Sequence, residues 1–316
     1  MFEEKFITDA IKRSAETAVD RRKLLGMVGL AGAGAAAAAV AGAAPAMAAT
    51  AAPVSDATIL NFALNLEYLE AEFYLNAVTG AGLPAGLISG TQPTGGVTGG
   101  GRAVQFQTRA IKNYATEIAA DEKAHVAFLR AALGSAAVSR PTINIGTAFQ
   151  AAAVAAGVAT PSTPFDPYAN EINFLLAAFI FEDVGVTAYK GAAGLIANKT
   201  YLDAAAGILA VEAYHAGIIR TTLYAEGVQT PAIFSAVDKI SGLRDAVDGS
   251  TDDDQGIGNA TSSNLVPTNA NSIAYSRTPG EVLNIVYLNA SGKSVSKGGF
   301  FTNGLHGSLV ASAANG

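Results

Sequence analysis

Two stretches of the chain share the pattern Glu-x-x-His-x-x-x-x-Arg: Glu122-Lys-Ala-His125 followed by Arg130, and Glu212-Ala-Tyr-His215 followed by Arg220. Glutamate is scarce, 13 residues in 316, so composition alone does not account for both matches. On a helix, a spacing of three puts Glu and His on one face with their side chains converging. Two other stretches place a Tyr seven residues after a Glu: Glu67 with Tyr74, and Glu182 with Tyr189. Seven residues are two helical turns, so each Tyr falls on the face of its Glu. In chain order the patterns alternate as a helix-pair repeat and offer four glutamates and two histidines. This donor set suits a pair of metal ions. Several carboxylate oxygens offset the repulsion between two close cations, and imidazole adds one ligand to each. The surroundings agree. Glu182 sits in the apolar run Phe174–Val184, and Glu212 and His215 are the only ionisable groups, Tyr aside, between Asp203 and Arg220. A carboxylate in so apolar a helix is expected to be buried, and a buried carboxylate must be paired or bound to metal.

Helices must hold these groups. Residues 55–79 read as the first, with Ser55 or Asp56 as cap, an apolar face from Leu60 to Leu75, and Gly80 as its end. Residues 80–101, rich in Gly, Pro and Thr, read as a loop. A second helix is expected from about Arg102 to Leu133. A connection over 135–165 follows, with a short Ala-rich helix near Ala148–Val158. A third helix is expected from Asp166-Pro167 to about Ala197, a turn at Asn198-Lys199, and a fourth helix from Thr200 to Glu226, stopped by Gly227. The fold class is therefore all-α: a four-helix bundle over residues 55–227 with a long crossover between helices two and three. Residues 228–316 differ in character. They are expected to form an extension packed on the bundle, with short helices near Pro231–Arg244 and Thr278–Leu288 and a final hairpin around Gly298-Gly-Phe-Phe301.

Composition narrows the function. Half the residues are hydrophobic and 15% are charged, which excludes a disordered chain. There is no Cys, hence no thiolate ligand, thiol nucleophile or disulfide. A net charge of −6 without a basic stripe argues against nucleic acid as a partner. At the N-terminus, Arg21-Arg22-Lys23-Leu24-Leu25 precedes an uncharged Ala/Gly run ending Ala46-Met47-Ala48. Residues 1–48 are accordingly expected to be a cleaved signal of the twin-arginine type, placing the protein in the periplasm or at the cell surface. The run is also long enough to span a bilayer, so an uncleaved anchor is the alternative.

The chain resembles the ferritin-like superfamily, and more narrowly the exported ferritin-like domain proteins that include desiccation-related proteins. The resemblance rests on Leu66-Glu67-Tyr-Leu-Glu70-Ala-Glu-Phe73-Tyr74, Asp121-Glu122-x-x-His125-Val126, Phe181-Glu182-Asp183 and Glu212-x-x-His215. Arg277-Thr-Pro and Gly298-Gly-Phe-Phe301 in the tail also carry it. It implies a centre of two Fe or Mn ions. Glu122 and Glu212 would bridge or chelate them, His125 and His215 would bind one each, and Glu67 and Glu182 would complete the site. It also implies that Tyr74 and Tyr189 steady carboxylates or donate electrons, their alternative being core aromatics. Asp121 is placed to hydrogen-bond a ligand imidazole.

Other residues read more plainly. Glu70 and Glu72 are expected to be solvated or paired with Arg130 or Arg220, with Glu70 the alternative ligand on the first helix. His306 reads as a surface or structural residue, and Asp252–Asp254 as a solvated acidic loop with Ca2+ binding the alternative. The function expected is an oxidoreductase acting on Fe2+, dioxygen or peroxide, as a homo-oligomer but not a ferritin-type cage. The alternative is a stress or desiccation-protection protein with a structural or vestigial metal site.

Overall fold

The computed structural model describes residues 54–314, so the expected signal segment lies outside the described residues. Helix α1 spans Asp56–Thr79: the Ser55 side chain accepts from Thr58 N, and Gly80, at φ 77°, closes the C-terminus. Asp56 does not cap; its carboxylate accepts from the backbone N–H of Ala197 and Asn198, tying the start of α1 to a distant turn. Helix α2 covers Arg109–Leu133, α3 Thr147–Ala155, α4 Glu171–Ala193 and α5 Lys199–Gln229. Helices α1, α2, α4 and α5 form the bundle, paired α1 with α2 and α4 with α5. The α1–α2 pair is antiparallel, because Ala77 meets Val104 just before α2 while Asn61 bonds Ala136 and Val138 just after it.

The long crossover between the second and third bundle helices is present. It runs through α3 and a two-residue strand β2, Ile143–Asn144, which pairs in parallel with β1, Val97–Thr98, of the Gly-rich first loop. The loop glycines have a packing reason: a Cβ on Gly99 would lie 2.3 Å from Gly146 N, and one on Gly95 2.2 Å from Thr142 N. Backbone lies against backbone there, and the loop is the crossover's partner.

Several helix boundaries depart from expectation, among them the end of the third bundle helix, at Ala193 rather than Ala197, and of the helix expected to close at Arg244, which runs to Asp248. Residues 102–108 precede α2 as extended chain, and Arg102 pairs with Asp166 instead. The third bundle helix starts at Glu171, not Asp166, because Asn170 supplies the cap, accepting from Asn173 N, while Asp166 closes a turn onto Tyr168 N. The fourth runs through Gly227 to Gln229; Gly227 is not a stop but a contact, where a Cβ would lie 3.0 Å from the Phe234 ring.

Helix α6, Ala232–Asp248, and α7, Pro279–Val286, lie in the C-terminal extension, with a small hairpin between them, β3 (Gly258–Asn259) and β4 (Ser262–Ser263). Thr278 and Glu281 form a reciprocal capping box on α7. The expected final hairpin is a single bridge, Gly298 to Phe301, whose purpose is to bury Phe300 against Phe149 and Phe181. The extension thus shares the bundle's core.

Candidate metal centre

The sequence placed six donors on four helices, and the structure brings all six to one place. His125 Nδ1 lies 3.2 Å from Glu67 Oε2, 3.5 Å from Glu122 Oε2 and 3.7 Å from Glu212 Oε1. His215 Nδ1 lies 2.9 Å from Glu122 Oε1 and 3.6 Å from Glu182 Oε2. The donor atoms fall into two groups, Glu67–Glu122–His125–Glu212 and Glu122–Glu182–Glu212–His215, each mutually within 4.8 Å. Glu122 and Glu212 belong to both. All four glutamates are at most 1% exposed.

These atoms are close but not hydrogen-bonded. Glu67 Oε2, both oxygens of Glu122 and of Glu212, Glu182 Oε2 and both Nδ1 atoms are buried without a hydrogen-bond partner. The other oxygens and nitrogens explain why these face inward. Tyr74 donates to Glu182 Oε1 and Tyr189 to Glu67 Oε1. Each Tyr therefore steadies the carboxylate of the other helix rather than that of its own, which spacing along one chain could not reveal. His215 Nε2 lies 3.2 Å from Asp121 Oδ2, so its outer nitrogen is engaged and Nδ1 turns inward. Asp121 was expected to serve a ligand imidazole, and it serves the one across the bundle.

The electrostatics are those of anionic donors crowded together out of water. Burial, then Glu122, pushes Glu67 up to about 7. Burial, with Glu122 adding to it, takes Glu182 to about 8 against the pull of His215. Glu212 is raised well above the carboxylate range by burial and the surrounding glutamates. Glu122 alone goes down: burial opposes its charge, but His125 and His215 on either side hold it at about 2. Burial disfavours the His125 cation, yet Glu67 and Glu122 overcome this and raise it to about 11. A concentration of anionic donors this dry requires protons or cations.

Two residues were misjudged from sequence. Glu70 is neither solvated nor paired: it is 6% exposed, and after burial itself Glu122, Glu182 and Glu67 raise it. It is a fifth buried carboxylate beside the six donors, though outside both four-residue groups. Glu72 is also buried but pairs with Arg140 of the crossover, because α1 turns that side toward the loop and not toward the other bundle helices. Arg130 meets no carboxylate; it donates to the Tyr68 hydroxyl and Ser89 O. Gly185 carries a signal that could have been read: a Cβ there would lie 2.2 Å from Glu212 Oε2, so a glycine in an apolar helix marks where a carboxylate passes.

Sequence reasoning missed a second cluster on the outer side of α4. Asp183 accepts from Arg220 at 2.7 Å and Arg244 at 2.9 Å. Arg244 also meets Asp254, and Arg277 meets Asp248 and Asp254. The acidic loop is therefore only partly solvated, since Asp254 is 7% exposed and locked between two arginines. The available signal was Glu182-Asp183, two adjacent acids in one apolar helix, which project about 100° apart and so need separate partners. His306 is structural as expected: its N–H donates to Asn65 and its ring contacts Ser139.

The fold and this centre define a class, the ferritin-like four-helix bundles. The ferritin-like domain family matches residues 55–225, and the chain belongs to it. Among curated proteins it is 30% identical over 272 residues to the ferritin-like catalase Nec2 of Nesocodon mauritianus, covering 81% of this chain and 85% of that one. It is 32% identical over 243 residues to the desiccation-related protein PCC13-62 of Craterostigma plantagineum, covering 72% and 76%. No solved structure matches the chain significantly.

Proposed function

We propose that the protein is an oxidoreductase built on a pair of iron or manganese ions, acting on peroxide, dioxygen or Fe2+, with peroxide favoured by its similarity to a protein named a catalase. The observation that carries this is the convergence of buried donor atoms that have no hydrogen-bond partner among the described residues. The donor chemistry fits: carboxylate and imidazole suit iron and manganese, and no thiolate competes. His125 with Glu67 would hold one ion and His215 with Glu182 the other, while Glu122 and Glu212, common to both groups, would be shared. Such a pair supplies the change of redox state that peroxide disproportionation, dioxygen reduction or ferrous oxidation needs.

The chain's own part is positioning. Tyr74 and Tyr189 each occupy one oxygen of a carboxylate and leave the other free, which fixes rotation without using up the donor. Asp121 sets the His215 tautomer. The rings of Phe73 and Phe174 pack beside Tyr74, with Phe181 edge-on to Phe73, and give that flank of the site an apolar wall. We further propose export through the Arg21-Arg22 segment, which retention of an Arg21→Lys, Arg22→Lys variant in the cytoplasm would support and normal export would contradict.

The similarity to a desiccation-related protein supports a second reading, a protective protein whose metal site is structural. Peroxide and Fe2+ turnover by the iron- and manganese-loaded protein separates the two. The first reading requires activity in at least one form and its loss in His125→Ala. A metal-loaded but inert protein favours the second.

A further inference from the structure

We propose that Arg277, a residue of the C-terminal extension, is a positioning residue for Glu182, so that the extension is a working part of the metal centre. The inference rests on the metal reading above and adds to it a region outside the bundle.

Helix α4 presents two opposed stripes. At 100° per residue, Glu182, Gly185 and Tyr189 fall on one side, and Asp183, Thr187 and Gly191 on the other. The first stripe faces the centre: Glu182 is a donor, Gly185 lies under Glu212, and Tyr189 holds Glu67. The second is held almost entirely by the extension. Arg277 Nη1 donates to Thr187 Oγ1 at 2.8 Å, and Arg277 N donates to Thr187 O at 3.0 Å. A Cβ on Gly191 would lie 1.9 Å from Arg277 O, so the strand of chain carrying Arg277 runs directly on the helix. Asp183 is reached by Arg244 of α6, and Asp254 links Arg244 to Arg277. Arg277 is 1% exposed, and its guanidinium engages Asp248, Asp254 and Thr187 at once.

A helix gripped along one side at three successive turns cannot rotate about its axis. Without that grip, the angle at which Glu182 and Tyr189 enter the bundle would rest on packing, on the Arg220–Asp183 bond and on the two tyrosine–glutamate bonds at the centre itself. Hydrogen bonds that orient ligands in this way govern metal affinity without touching the metal. The planar fork of Arg277 matters here, because a lysine carries the charge but cannot reach three partners in fixed geometry.

The test uses Co2+ as probe, read by equilibrium binding and by its d–d absorption, on the mature full-length chain. Arg277→Lys and Thr187→Val should both unfold cooperatively yet bind one of two Co2+ ions about tenfold or more weakly, with an altered spectrum. Thr187→Ser, which restores the hydroxyl, should return affinity and spectrum to wild type. Wild-type affinity and spectrum in folded Thr187→Val and Arg277→Lys would overturn the inference while leaving the metal reading intact. If Arg277→Lys does not fold, Thr187→Val decides alone. Failure of the wild type to bind Co2+, Fe2+ or Mn2+ would overturn the metal reading and this inference with it.

Discussion

Two clusters of buried charge lie on opposite sides of α4, and they are balanced differently. On the outer side three arginines, Arg220, Arg244 and Arg277, meet three aspartates, Asp183, Asp248 and Asp254. Single atoms are left over there, Nε of Arg220 and Arg244, Oδ1 of Asp248 and Oδ1 of the neighbouring Asp245. On the inner side five glutamates face two histidines, and both oxygens of Glu122 and of Glu212 lack a hydrogen-bond partner among the described residues. Burial desolvates both clusters, but only the outer one neutralises itself with covalent cations. The outer cluster is closed, a bolt between bundle and extension. The inner one is left unbalanced among the described residues, with an excess of carboxylates over histidines. Buried acids as such do not mark a metal site; buried acids without their own counter-charges do.

The comparison can be broken most severely from the outer side. Arg244→Met should cost about 3–5 kcal/mol, because Asp183 and Asp254 each lose a partner in a dry site. Denaturant midpoints read this, and a neutral result would show that the outer cluster is not a closed set. The inner cluster should behave in the opposite way. Glu212→Ala should lower peroxide or Fe2+ turnover more than the about 100-fold that losing an outer-shell partner costs. Yet the metal-free variant should melt no lower than the metal-free wild type, since an unpaired buried carboxyl has gone. A smaller effect is expected at the rim. Asp121→Asn should weaken metal binding by about 10–100-fold through the His215 imidazole, without changing the fold.

The bundle and the six donors were legible because they obey local rules. Glu-x-x-His is a one-face spacing, the apolar periodicity gives the helices, and a long segment between the second and third can only be a crossover. What spans the bundle was not legible. Tyr74 serves Glu182 and Tyr189 serves Glu67 across helices, so sequence spacing names the right residues with the wrong partners. Glu70 was hidden because acids at positions 67, 70 and 72 look like a solvated patch unless α1 is known to be covered on nearly every side. The outer cluster depends on Arg244, at the end of an expected helix, and on Asp254, in a polar stretch, and neither one's neighbours in sequence announce that the charge is buried.

The smallest effect concerns pH. Burial raises Asp248 from 3.8 to about 6 despite Arg277 beside it. The folded state then holds this proton more tightly than the unfolded one, so its stabilising contribution is complete below about pH 4 and lost as pH rises through 6. Asp248→Asn should abolish that slope: relative to wild type the variant should gain stability between pH 4 and 6, as read from thermal midpoints across the range. An unchanged difference would mean that the outer cluster holds Asp248 ionised throughout.

The central claim, that the inner cluster is completed by cations, is tested most directly by counting them. The purified protein, loaded anaerobically with Fe2+ or with Mn2+ and exhaustively dialysed, is submitted to elemental analysis beside Glu122→Ala. The account predicts two ions per wild-type chain, one for each four-residue group, and a collapse of both in the variant, because Glu122 belongs to both groups. A metal-free wild type, or a Glu122→Ala chain that retains the wild-type complement, would contradict it.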